Sequence, residues 1–340
     1  MSDVETRDGR LAESRAKIVP PFALDDSMRF YSPQDNVDAL EHPRVRPFWE
    51  FVRDEYVPDL PAGRHIALII PCTKTKPYPL SLEHRRINAG ILGAGFRPLP
   101  GVPDTVPPPE FLGRLDADED PDVLTVSPLV RPGTVVHRYV VSEPMGLVPY
   151  EFVYRWRGGQ SPASAYDDPG LFEQRGTAVS PWRSDCTGIR GADGKWRWGD
   201  AEKAAYVEVH NRLTEIVAAT LERLRSQYDL IVAWVAPGLT HRSFMMAAGD
   251  RGTEGISGTK SAGGTRLRLI GVNDRVPGLV QIHPTRREAD DALDRLTERL
   301  RAEDPATTRR AAQAVYARGG GGATPLALPE MLEVLTGLLQ

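Results

Sequence analysis

Three short apolar runs most constrain how this chain can fold: HIALII at 65–70, TVVHRYVVS at 134–142 and YDLIVAWVAP at 228–237. The first lies between Gly63 and Pro71 and is rich in isoleucine, the pattern of a strand buried on both faces. A helical stretch spanning 200–227 leads directly into the third run, and RLRLIGV at 266–272 reads as a fourth strand. Strands alternating with helices predict a parallel, layered α/β sheet. Ligands of such sheets sit beyond the carboxyl ends of the strands. The segments PCTKTKPY, SEPMGLVP and APGLTHRSF are therefore expected to leave one edge together. Cβ separations above roughly 15 Å between Cys72, Glu143 and His241 would defeat that expectation, because one small ligand could not then span them.

The rest of the chain divides around this core. Residues 1–40 read as a polar, partly ordered arm, and Val45, Phe48, Phe51 and Val52 mark a helix before the first strand. The core spans 41–284 and includes a proline-rich, acidic insertion at about 97–132, expected to have little regular structure. Residues 285–340 read as helices around a glycine hinge at 319–322.

Composition narrows the function classes. With 340 residues and 41% hydrophobic content, a sizeable core can form. The formal charge of -4 disfavours a bulk polyanion binder, so a nucleic acid would need a local basic patch. Lys74, Lys76, Arg85, Arg86 and Arg242 are the candidates for one. The N-terminal segment has no apolar stretch of the signal-peptide kind, and the two cysteines support no disulfide framework, which fits a cytoplasmic protein. The seven histidines show no zinc-type spacing, so no metal or other cofactor is expected.

Chemistry concentrates where the first strand ends. Pro71 and Cys72 are followed within a dozen residues by Lys76, Tyr78, Ser81 and His84, with Ser81 placed to cap a helix. Plainer readings stand beside the functional ones. Cys72 can be core filler, and His84 can cap or ion-pair on its helix. Glu143 and the Tyr166-Asp167-Asp168 loop can simply make turns. His241 and Arg242 open a helix, where they either cap it or hold an anion.

The residues Pro71-Cys72, Lys76-Pro77-Tyr78, Ser81 and His84 form the pattern P-C-x3-K-P-Y-x2-S-x2-H, seven specified positions in fourteen. This pattern resembles the core domain of archaeosine synthase, a relative of the tRNA-guanine transglycosylases. HPRVRPFWEFVRDEY and SEPMGLVPYEF resemble its flanking segments, with Glu143 where that family more often has serine. The likeness covers roughly 40–250. It implies a three-layer parallel α/β fold similar to uracil-DNA glycosylase, and the attachment of an amine such as lysine to the nitrile of 7-cyano-7-deazaguanine, giving an amidine. It implies Cys72, Lys76 and His84 as catalytic groups, and Pro71, Tyr78, Ser81, Ser142, Glu143 and Gly146 as substrate-binding ones; Asp167, from the loop at 166–168, and His241, from the segment after the third run, join the substrate-binding candidates on their positions alone. The sequence carries neither the transglycosylase-like domain nor an evident RNA-binding PUA domain.

A nitrile carbon is electrophilic, and addition places negative charge on its nitrogen, so a site needs a nucleophile and a proton donor. Cys72 either adds first, forming a thioimidate that the amine displaces, or only packs while the amine attacks directly. The acceptor is expected to be a modified nucleic acid in preference to a nucleoside, with a transglycosylase or radical enzyme as a partner. Two other classes stay open: a non-catalytic deazaguanine or nucleic-acid binding module serving a transglycosylase, and a glycosidic-bond enzyme.

Overall fold

The run at 65–70 becomes the strand at the centre of the molecule. In the computed structural model, which describes residues 7–168, 178–238, 240–319 and 324–340, strand β1 (Arg64–Pro71) is buried from Ile66 onward. Each of Ile66, Leu68, Ile69 and Ile70 is fully buried, contributing about 1.5–3 kcal/mol to stability. The other strands of its sheet are β2 (Arg97–Pro98), β3 (Leu129–Arg131), β4 (Thr134–Ser142), β5 (Gly146–Pro149), β6 (Leu230–Trp234) and β7 (Gln281–His283). Their order is β7-β6-β1-β4-β3-β2, with β5 paired to the far end of β4. β7, β6, β1 and β4 are mutually parallel, whereas β2, β3 and β5 add antiparallel pairings.

The fold is therefore α/β with a mixed sheet, not the wholly parallel one expected. The mixing comes from chain reversals on either side of β4. Gly133 closes one hairpin at φ +78, and Gly146 opens β5 at φ +74, a conformation that costs a residue with Cβ.

Three expectations change. Residues 266–272 do not supply a sheet strand: Thr265–Arg268 pairs with Thr259–Ala262 in a separate hairpin, where exposed Arg266 and Arg268 alternate with Thr265 and Leu267. The fourth parallel strand is Gln281–His283. The N-terminal arm, expected to be polar and partly ordered, packs into the body of the molecule from residue 18 on. After helix α1 (Arg7–Lys17), Ile18, Phe22, Met28 and Phe30 all enter the core. The proline-rich insertion also packs down, with Phe111, Val123, Leu124 and Val126 fully buried and the Phe111 ring edge-on to Phe22 at 5.5 Å.

Two helices matter for the site. Ser81 caps α2 (Leu82–Gly93) by accepting the His84 N–H at 3.2 Å, as its sequence position predicts. The long α3 (Asp200–Leu224) ends as expected, one short turn before β6. It holds α4 (Thr240–Met245) through buried His210, whose Nε2 meets Ser243 Oγ at 2.9 Å and whose ring stacks on Phe244 at 4.9 Å. At the C-terminus, α5 (Arg286–Glu303), α6 (Arg309–Ala317) and α7 (Pro329–Leu338) follow, with Leu332 of α7 against Gly90 of α2. Of the glycine run proposed as a hinge, residues 320–322 lie outside the described residues. Among the described residues, no helix is long and apolar enough to cross a membrane.

Burial, reinforced by the Arg251 guanidinium, holds His210 down to about 3. The unfolded chain therefore binds the proton first as pH falls, so this contribution is complete above roughly pH 6.5 and is lost toward the folded value. Between pH 7.5 and 5.0 the loss is about 2 kcal/mol. Urea denaturation at the two pH values is expected to show His210→Gln losing about 2 kcal/mol less than wild type; equal losses would contradict this.

Candidate active site at the carboxyl edge of the sheet

β1 lies between β6 and β4, and all three run in the same direction. Their carboxyl ends are therefore neighbours, and each releases one reactive side chain. The Cys72 N–H donates to Val141 O at 3.1 Å, extending the ladder one residue past β1. Glu143 follows directly on β4, and His241 begins α4 a few residues after β6. The expected convergence is present: Cys72 Sγ lies 3.3 Å from His241 Nε2 and 3.7 Å from Glu143 Oε2. His241 Nε2 lies 3.6 Å from the same Glu143 oxygen.

His241 and Glu143 are buried, while Cys72 keeps partial exposure. Burial pushes the Cys72 thiol up, against the pull of His241. Burial alone would lower His241, but the neighbouring sulfur and carboxylate outweigh it and hold its imidazolium form to well above the ordinary histidine range. With the thiol raised, the natural counter-charge for that imidazolium is Glu143.

Beside this cluster is a second one. Fully buried Tyr78 donates to Ser142 Oγ at 3.1 Å and meets Tyr166 Oη at 3.0 Å, and Ser142 also bonds Tyr166. Burial drives both phenols up, so they remain neutral donors. The Lys76 ammonium lies 4.3 Å from the centre of the Tyr166 ring and donates to Thr73 O at 3.0 Å. Tyr166, read from sequence as part of a turn, thus belongs with Tyr78 and Ser142. No spacing in the sequence connects residue 166 to this edge.

Other candidates have structural duties here. His84 is fully buried, with Nε2 donating to Pro71 O at 2.9 Å and Nδ1 meeting Tyr150 Oη at 3.0 Å. Burial holds it down to about 4, so it is a neutral strut fixing α2 to the end of β1, not a proton donor to the cluster. Ser81 is the helix cap. Gly146 serves the turn into β5, where an added Cβ would also meet Ile216 at 3.3 Å. Asp167 accepts from Ser14 at 2.6 Å and Lys17 at 2.9 Å, which fastens α1 to the core. Pro71 contributes its carbonyl to His84.

The basic residues are largely engaged as well. Arg242 is buried, bidentate to Glu254, and donates to Val235 O at 3.0 Å and Pro284 O at 2.9 Å. Arg85 pairs with Glu119, Arg86 donates to Gly319 O at 3.2 Å, and Lys76 is buried; Lys74 is exposed. A cleft of about 570 Å³ lined by Tyr56, Glu151, Phe152, Arg155 and Trp156 includes none of these residues.

Comparison of the chain with family models, curated proteins and solved structures returned no match. The family resemblance therefore rests on the motif and its flanking segments.

Arg242 fixes the start of α4, and with it His241. Arg242→Met leaves Glu254 unpaired and frees two carbonyls, so stability measured by urea denaturation is expected to fall by about 3 kcal/mol. Arg242→Lys is expected to recover less than half, because an ammonium cannot reproduce a bidentate carboxylate pair together with two carbonyl bonds. Wild-type stability in either variant would contradict this role.

Proposed function

We propose that this protein adds an amine to the nitrile carbon of a 7-cyano-7-deazaguanine derivative, forming an amidine, on an α/β frame similar to that of uracil-DNA glycosylase. The observation that carries the reading is the meeting of Cys72, Glu143 and His241 beside the Lys76–Tyr78–Ser142–Tyr166 cluster. Four of these seven residues belong to the motif or its flanking segment SEPMGLVP: Cys72, Lys76, Tyr78 and Ser142, with Glu143 as the departure from the family pattern.

The reaction is a net addition. The amine lone pair forms the new C–N bond, one nitrile π pair moves to the nitrile nitrogen, that nitrogen gains a proton and the amine loses one. Glu143 is the base that takes the amine proton, and the His241 imidazolium supplies the other. The neutral phenols of Tyr78 and Tyr166 and the Lys76 ammonium are the donors available to the polar edge of the base or to charge developing on nitrogen.

Direct attack by the amine is the route favoured by the geometry. In a thiol–imidazole–acid device the carboxylate holds the imidazole nitrogen remote from the nucleophile. Here Glu143 approaches Nε2, the nitrogen that also faces Sγ. Protein incubated with the nitrile but no amine is therefore expected to keep its intact mass, whereas a mass gain equal to the nitrile substrate would establish the thioimidate route. With lysine, glutamine or ammonia as donors, the product is expected at the mass of substrate plus amine. On the thioimidate route Cys72→Ser would lower turnover roughly a hundredfold or more, as removal of a covalent catalyst does, whereas near-wild-type turnover would leave direct attack. Binding without product under every donor would support a non-catalytic module, and release of free base would support glycosidic chemistry.

A nucleoside or free base suits the site better than a polynucleotide. Among the five basic candidates, Arg85 and Arg242 are committed to glutamates and Lys76 is buried. Apparent affinity is expected to be nearly flat between low and moderate salt. A polynucleotide held by three or four phosphate contacts would show a slope of about -2 to -4 in log affinity against log salt, and such a slope would overturn the small-molecule assignment.

A further inference from the structure

The Glu143 carboxylate poses a problem of its own. It is buried at 3% exposure, where an ionised group needs close partners. Its side-chain contacts are Cys72 Sγ at 3.7 Å and His241 Nε2 at 3.6 Å. The first is a long, weak hydrogen bond from the thiol, and the second exceeds the length of an effective hydrogen bond between nitrogen and oxygen. Thiol and imidazole are within hydrogen-bond distance at 3.3 Å, but the carboxylate makes no short bond to either, so the three converge without forming a relay.

These separations lie within a few tenths of an ångström of those a shared cation would impose. Zinc binds thiolate at about 2.3 Å, imidazole at about 2.0–2.1 Å and carboxylate at about 2.0–2.2 Å, so tetrahedral placement leaves donor atoms roughly 3.3–3.6 Å apart. The three observed separations are 3.3, 3.6 and 3.7 Å. The approach of Glu143 to Nε2, unsuited to a triad, is the one required when both groups ligate a common ion.

We infer that Cys72, Glu143 and His241 form a three-ligand site for a zinc-type divalent cation. A mixed sulfur, nitrogen and oxygen set suits zinc and disfavours magnesium or calcium, which take oxygen ligands. Three protein ligands with a place left for substrate or water is the pattern of catalytic zinc sites, not of closed structural ones. The ligands follow three separate strands, so no local sequence motif announces them. The catalytic use of the cation rests on the function proposed above: a Lewis acid would polarise the nitrile nitrogen toward attack. With the cation bound, Cys72, Glu143 and His241 are its ligands, so the imidazolium and base roles given above belong to the metal-free site; the cation would replace the imidazolium's charge, and the proton that the amine loses would pass to the nitrile nitrogen. Occupancy of the site does not depend on that reading.

The test is elemental analysis of full-length protein purified in metal-scrubbed buffer, then stripped with chelator and reloaded with one equivalent of Zn²⁺ or Co²⁺. About one zinc per chain is expected, and the cobalt form is expected to show the near-ultraviolet thiolate-to-metal band together with intense visible tetrahedral bands. Cys72→Ser is expected to abolish the thiolate band, and His241→Gln to lower metal content at least tenfold, whereas Cys186→Ser retains both. A thermal melt of the wild-type protein gives an answer independent of how the variants fold: chelator is expected to lower the midpoint and Zn²⁺ to restore it. Substoichiometric metal with no thiolate band after reloading would overturn the site. Stoichiometric zinc with no conversion of the nitrile under any donor would uphold the site and sink the proposed function. Full amidine formation by chelator-stripped protein would overturn the cation's catalytic role.

Discussion

The parallel pairing of β6, β1 and β4 is the constraint on which the rest of the structure depends. Parallel strands in register bring their carboxyl ends to one edge, and here the ladder continues through Cys72. Side chains 71 and 169 positions apart in sequence thereby come within 4 Å. The supports around the edge act on the same three strand ends. His84 ties α2 to Pro71, Arg242 ties α4 to Val235 and Pro284, and the N-terminal segment joins the edge through the Ile18–Lys76 bridge.

Electrostatics then sets what this edge can do. A raised thiol, a stabilised imidazolium and a buried carboxylate are costly to assemble in a low-dielectric setting unless something draws on them. The proposed nitrile addition uses their charge and protons, whereas a divalent cation would take all three as ligands once thiol and imidazolium have given up their protons. The adjoining phenols differ in kind: they bond one another and Ser142 and remain neutral, which suits recognition of a polar planar ring.

Much of this frame was legible in the sequence, for identifiable reasons. The segment 134–142 becomes a strand end to end because it is β-branched and buried at every position, and the Ser81 cap follows from local hydrogen bonding. The run 266–272 misled because its leucines suggest a buried strand while its arginines face outward. Gln281–His283, which takes that place in the sheet, is only three residues long and carries no apolar run. Ile18, Phe22, Met28 and Phe30 fall in the stretch KIVPPFALDDSMRFY, whose apolar positions follow neither a helix nor a strand period, so their burial arises from tertiary packing. Within the site, Cys72, Glu143 and His241 were reachable from the rule on strand ends. The engagement of both His84 ring nitrogens was not, nor was the partnership of Tyr166 with Tyr78, since each depends on where distant loops come to rest.

The central claim is that this edge acts on a nitrile carbon, and labelling that carbon tests it most directly. A 7-cyano-7-deazaguanine nucleoside carrying ¹³C at the nitrile, mixed with the protein and an amine and followed by ¹³C NMR, is predicted to lose its nitrile resonance and gain an amidine resonance. Replacing Glu143 by Gln is predicted to suppress that conversion. A nitrile resonance that persists with active-site-intact protein and every donor would contradict the account.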